Sequence, residues 1–173
     1  MKKNLEKRLV YLYSGELAAA ILFAFLSYLV QSNYPSLQLY FLISFWCSFL
    51  LLEMILLQGV YYWYAKLKRY RLEGNFNTSL KTVQILEKAR IFNIVVFITA
   101  LSAFIIDIYR WFSHLPISGL MWSGFILLFA VLEFINYFYR QLSYGNKADL
   151  QFLRKTKKLK QSCLNKDLDR LLR

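Results

Sequence analysis

The sequence predicts an all-α integral membrane protein with four transmembrane helices, and three observations carry that expectation. Of its 173 residues, 58% are hydrophobic and 18% aromatic, with only two prolines, which is too apolar for an ordinary soluble domain of this size. Four stretches, over residues 9–30, 37–60, 91–112 and 117–139, reach the roughly 20 residues that a helix needs to cross about 30 Å of hydrocarbon. Finally, all but Arg110 of the 22 basic residues fall in three segments on one side of such a topology. These are the N-terminal arm, the connection between the second and third spans, and the tail after the fourth. Positive-inside bias of this kind places both termini in the cytoplasm, giving two antiparallel helical hairpins.

The first span follows Lys2, Lys3, Lys7 and Arg8 and contains Ala18, Ala19 and Ala20, the order of charge, apolar run and small residues that a secretory signal also has. Its apolar run continues through Phe23 and Phe25 to Val30, beyond the ~7–15 residues of a signal's apolar region, so a retained helix is expected. A short link around Pro35 leads to the second span, which ends in the aromatic run Tyr61, Tyr62, Trp63 and Tyr64. Helical character then passes through Lys66, Arg69 and Leu72 to the turn signal Gly74-Asn75-Phe76-Asn77. Thr78 or Ser79 is placed to cap a helix that runs through Val83, Leu86 and Arg90 into the third span. The expected result is a cytoplasmic helical hairpin over 64–90, projecting about 15 Å for each ten residues. The third span closes on Tyr109, Trp111 and Phe112, and a link around Pro116 opens the fourth. Aromatic residues at both edges read as interfacial anchors. Asp107 and Arg110, three apart on the third helix, read as a surface ion pair.

This divides the chain into a four-helix transmembrane domain over 1–146 and a basic amphipathic cytoplasmic tail over 147–173. In the tail, Leu164, Leu168 and Leu171 share a helix face. Upstream, Arg154, Lys155, Lys157, Lys158 and Lys160 are expected to contact anionic inner-leaflet lipids, at about 1 kcal/mol per basic residue. No nucleic-acid-binding fold accompanies these charges, so nucleic acid is not an expected partner. Cys47 and Cys163 lie in different compartments of this topology and form no disulfide framework. Composition rich in Lys, Asn, Ile, Phe and Tyr, with the small size, points to a bacterial cell membrane.

Three carboxylates stand inside apolar runs: Glu16, Glu53 in LLLEMILL, and Glu133 in AVLEFI. An acid at a helix centre costs about 2.5–3.5 kcal/mol, while each Leu, Ile or Phe returns about 0.3–0.6, so the second span inserts despite Glu53. Counted from the cytoplasmic boundary along each helix, the three acids fall roughly 10–15 Å deep and are expected to form one layer. With Gln58, Asn136 and Tyr137 they make a candidate polar packing site, or a site for a proton or cation. The second and fourth spans also align through Phe49/Phe129, Leu52/Leu132, Glu53/Glu133 and Ile55/Ile135, the pattern that two related hairpins would give.

Gly15/Ala19, Ala20/Ala24 and Gly119/Ser123 are spaced four apart, which permits close helix approach. No nucleophile elbow, zinc-protease helix, paired-cysteine or phosphate-loop motif occurs. Four spans with Glu16 in the first resemble the small multidrug-resistance exporters in those two features alone. The longer chain, the basic tail and the strongly biased loops depart from that family, and no substrate or residue role follows. The expected function is therefore a non-enzymatic multi-pass membrane protein without a cofactor. It would act as an accessory or regulatory subunit or as a homo-oligomer; the alternative is a cation- or proton-linked transporter or channel subunit using the glutamates.

Overall fold

The computed structural model describes residues 2–142 and 147–170. Among them there are no strands, and four helices are long and apolar enough to cross a membrane. These are α1 (Lys2–Asn33), α2 (Ile43–Glu73), α3 (Leu80–Arg110) and α4 (Ile117–Phe138). Two short helices, α5 (Lys147–Thr156) and α6 (Cys163–Asp169), follow.

Local signals explain the helix limits. Pro35 and Pro116 stand in the links where the chain leaves helical geometry. The first link tightens into two 3₁₀ turns, Pro35–Leu37 and Leu39–Phe41, so α2 begins at Ile43 rather than near residue 37. Helix α2 ends at Gly74, which takes the left-handed conformation at φ 65° and donates its N–H to the Tyr70 carbonyl at 3.0 Å. Of the two candidate caps for α3, Ser79 is the one used: its hydroxyl accepts from the Thr82 N–H at 3.3 Å. Thr78 is free to turn elsewhere.

Helix α2 is the hub, packing along α1, α3 and α4, whereas α3 and α4 touch only lightly. Glu6 meets Arg71 and Tyr13 meets Tyr64, so α1 and α2 run in opposite directions. Ser44 meets Asp107 and Gln58 meets Asn93, which sets α3 antiparallel to α2. Gly119 lies against Leu37 and Leu42 while Tyr137 lies against Gly59, so α4 runs parallel to α2. The core is built where these faces meet, from Leu51, Leu52, Ile55 and Leu56 of α2 with Ala20, Ala100 and Ala130 of the other helices. Phe23 and Phe129 join α1 to α4 with ring centroids 5.2 Å apart.

Two glycines permit these approaches. A Cβ at Gly119 would collide with the Leu37 carbonyl, and one at Gly59 with the Tyr137 ring and hydroxyl. Side chains at either position would push the helices apart, the overpacking that typically costs about 1–3 kcal/mol. The small-residue spacing Gly119/Ser123 is thus used inside the chain, with both residues buried.

The tail returns to the bundle. Gln141 donates its N–H to the Lys160 carbonyl at 2.8 Å, and Ser162 donates to the Tyr139 carbonyl at 3.2 Å. Ser162 then caps α6: its oxygen accepts from the Asn165 N–H at 3.0 Å while its hydroxyl donates to the Tyr137 carbonyl at 2.5 Å. The described part of the leucine stripe expected of an amphipathic tail points into protein. Leu164 and Leu168 are buried with Tyr62, Val83, Leu86 and Phe138; Leu171 lies outside the described residues.

Candidate functional site

The polar side chains singled out from the sequence divide into three groups. Glu133 accepts from Asn136 Nδ2 at 3.2 Å, and the same amide's oxygen accepts from the Leu142 N–H at 2.8 Å. This ties the carboxylate to the end of α4, where the helix gives way to the tail. Glu16 comes from α1 to the same place, within electrostatic reach of Glu133, and faces the Tyr137 hydroxyl. Glu53 is not part of this pair: neither Glu16 nor Glu133 acts on it, and its Oε1 is buried without a hydrogen bond among the described residues. The three acids thus resolve into a pair and a separate group. Glu53 stands on the side of α2 that carries the exposed Leu50 and Leu57.

Gln58 makes the third group with a residue that the sequence reading passed over, Asn93 of α3. Gln58 Nε2 donates to Asn93 Oδ1 at 2.9 Å and Asn93 Nδ2 donates back to Gln58 Oε1 at 2.8 Å. Two amides that satisfy each other are a packing link suited to an apolar surround, where an unmatched amide is costly. Asn93 borders an almost wholly apolar cavity of about 210 Å³ between α2, α3 and α4.

Asp107 corrects its sequence reading. It is fully buried and makes no ion pair with Arg110, which is exposed. Its carboxylate instead accepts from the backbone N–H groups of Ile43 at 3.2 Å and Ser44 at 2.7 Å. Leu42, at the N-cap of α2, has no side-chain oxygen to serve those donors, so α3 supplies the cap across the helix pair.

At the opposite end, Asp167 of α6 organises a network that no spacing in the sequence announces. One carboxylate oxygen accepts from Thr78 Oγ1 at 2.7 Å, Tyr62 hydroxyl at 2.8 Å and Lys66 Nζ at 3.1 Å. The other accepts from Arg170 at 3.1 Å. Lys66 also donates to Tyr62 at 3.0 Å and stands 4.6 Å from the centre of the Phe76 ring. Lys66 and Asp167 side chains are each only 4% exposed.

Between these groups lies a cavity of about 460 Å³ lined by α1, α2, α4 and the returning tail. Glu16, Asn136, Tyr137 and Trp63 line it together with Arg8 and Lys160. Lys160 therefore differs from Arg154, Lys155, Lys157 and Lys158, which are exposed. Among the described residues, no three His, Cys, Asp or Glu side chains are grouped to hold a metal ion. Comparison of the chain with protein-family models, with curated proteins and with solved structures gave no match.

Proposed function

We propose that the chain is a small, non-enzymatic, multi-pass protein of the bacterial cell membrane that works by assembly, as an accessory or regulatory subunit or as a homo-oligomer. Both termini and the α2–α3 turn lie in the cytoplasm. This orientation is supported by the fold's collection of basic residues at one end, with Arg110 at the other.

The observation that carries the assembly reading is the open small-residue face of α1. A Cβ at Gly15 would meet nothing within 4 Å, and Ser14, Gly15 and Ala18 are all exposed. Close helix approach, used inside the chain at Gly119, is thus offered outward at Gly15. The closed Gln58–Asn93 pair and the Asp107 cap support a packing role for the intramembrane polar groups.

The double variant Gly15→Leu/Ala18→Leu is expected to reduce cross-linked dimer or partner complex in native membranes by at least about tenfold. Gly124→Leu on α4, where a Cβ also meets nothing within 4 Å, serves as the matched control. Cross-linking that survives the α1 variant, or that falls equally in the control, contradicts the assignment to α1.

One observation favours a second reading, a cation- or proton-linked transporter or channel subunit: Glu16 and Glu133 share Tyr137 beside a cavity. It predicts that Glu16→Gln and Glu133→Gln each abolish ion movement in reconstituted vesicles while Glu53→Gln preserves it. Equal flux in all three variants removes this reading.

A further inference from the structure

Arg90 stands on α3 immediately before the apolar run of the third span, and it is half-buried. Among the described residues its guanidinium makes no ion pair and no hydrogen bond. Its one close contact is with the Tyr139 ring, whose centre lies 6.0 Å from the guanidinium carbon. Nε is buried, which leaves the two Nη groups as the donors open to a ligand. A guanidinium presents its donors as a rigid fork that matches carboxylate or phosphate, and here the fork is unused.

Deeper along the same helix lies the apolar cavity of about 210 Å³. Leu51 and Ile55 of α2 form its buried floor. Its walls are Ile94 and Phe97 of α3 and Val131 and Phe134 of α4, all four at least partly exposed. Because α3 and α4 touch only lightly, the cavity is a groove that opens between them, flanked by the exposed Ile98 and Leu128. Ile94 and Phe97 follow Arg90 by four and seven residues, so they share its helix face and lie about 6 and 10 Å deeper. Tyr139 makes the same connection on the opposite wall, with its ring 5.8 Å from that of Phe134. The unpaired arginine thus stands at the mouth of the groove.

Water does not suit this groove. Asn93 is the one polar residue in its lining, and its amide is engaged with Gln58, whereas a buried water needs two to four polar partners. Left empty, the walls would forfeit dispersion contacts. Dry apolar cavities of about 150 Å³ take up small hydrocarbons, and the groove is smaller than the roughly 300–1,000 Å³ of drug-sized sites, so a slender chain fits it. We propose that the α3–α4 groove binds one acyl chain of an anionic phospholipid, whose phosphate is held by the Nη groups of Arg90. A neighbouring transmembrane helix would need an acid of its own at the level of Arg90, whereas a phospholipid carries charge and chain in that order in one molecule. This is a defined site, distinct from diffuse attraction to Arg154, Lys155, Lys157 and Lys158. It rests on the proposed orientation only for its leaflet, the inner one, and it is independent of the assembly reading: a monomer that retains the lipid leaves the site intact, and an assembly that retains none removes it.

The test uses the protein delipidated in detergent and titrated with dioleoyl phosphatidylglycerol, dioleoyl phosphatidylcholine or sn-glycerol 3-phosphate, with retained ligand counted by native mass spectrometry. One tightly held phosphatidylglycerol per chain is expected, with phosphatidylcholine held at least about fivefold less tightly and glycerol phosphate not retained. Arg90→Gln should weaken phosphatidylglycerol retention by about tenfold and abolish its advantage over phosphatidylcholine. Val131→Phe, which fills the groove and leaves the charge in place, should weaken both lipids about fivefold or more. The two variants are independent, so either one decides the matter if the other fails to fold. Lys88→Gln, an exposed cation on the same helix, should leave retention unchanged. Phosphatidylglycerol held as tightly in folded Arg90→Gln or Val131→Phe as in the parent overturns the site. Equal loss in Lys88→Gln reduces it to diffuse electrostatics, and retention of glycerol phosphate as strongly as lipid overturns the acyl chain as the occupant. An oligomer that dissociates in Val131→Phe while lipid retention holds makes the groove a helix interface instead.

Discussion

Asp167→Ala is expected to destabilise the protein by about 3–5 kcal/mol and to release α6 from the bundle. The magnitude follows from what remains behind: removing one member of a buried ion pair leaves an uncompensated charge, which costs far more than the pair contributes. Here that charge is Lys66, whose side chain is 4% exposed, and Thr78 and Tyr62 lose their acceptor with it. Leu164 and Leu168 then lose the anchor on α2 and Thr78 that helps hold them over Tyr62, Val83 and Leu86, leaving Ser162 to tie α6 to the end of α4. Thermal unfolding in detergent should show the loss, and limited trypsin digestion should cut near Lys166 much faster than in the parent. The double variant Lys66→Met/Asp167→Leu should recover most of the stability, because apolar replacement of a buried pair is often neutral or better. A protease pattern in Asp167→Ala identical to that of the parent would show that the network does not hold the tail.

Asp107→Ala should cost about 2–3 kcal/mol, from two hydrogen bonds to a charged acceptor at a helix start. The N–H groups of Ile43 and Ser44 would be left in a part of the fold where Leu42 and Phe45 exclude water. The positive end of the α2 dipole would lose its counter-charge in the same step. Asp107→Asn retains a single acceptor oxygen and should lose roughly half as much. Hydrogen exchange localises the effect: the amides of Ile43 and Ser44 should exchange faster in Asp107→Ala while those near Gly74 do not change. Unaltered exchange at Ile43 and Ser44 would remove the cap from the account.

These two aspartates mark the boundary of what the sequence made legible. The four helices follow from apolar length, the end of α2 from Gly74, and the start of α3 from the Thr78-Ser79 pair, all signals within a few residues of the feature they set. Asp107 and Asp167 act across chain separations of 63 and 101 residues, and no local pattern distinguishes such an acid from a surface one. Lys66 illustrates the same point, since its charge counts toward orientation whether it is solvated or buried. The glutamates show a different failure. Depth along each helix was readable, but rotation about the axis was not, and rotation separates Glu53, on the side of Leu50 and Leu57, from Glu16 and Glu133. The leucine stripe of α6 was visible as a stripe, yet a leaflet and a protein core are equally apolar. Asn93 was the one missed partner with a usable signal, a lone amide in the third span whose natural match was Gln58 in the second.

The open α1 face and the cavity lie on the same helix, because Gly15 points outward while the adjacent Glu16 lines the cavity. A substitution at Gly15 therefore tests assembly without filling that cavity. Native mass spectrometry of the chain, ejected directly from the membranes in which it is made, decides whether it works by assembly. A homo-oligomer or a stoichiometric complex with another membrane protein is expected, dissociated in the Gly15→Leu/Ala18→Leu variant. A lone monomer in the unmodified protein would contradict it.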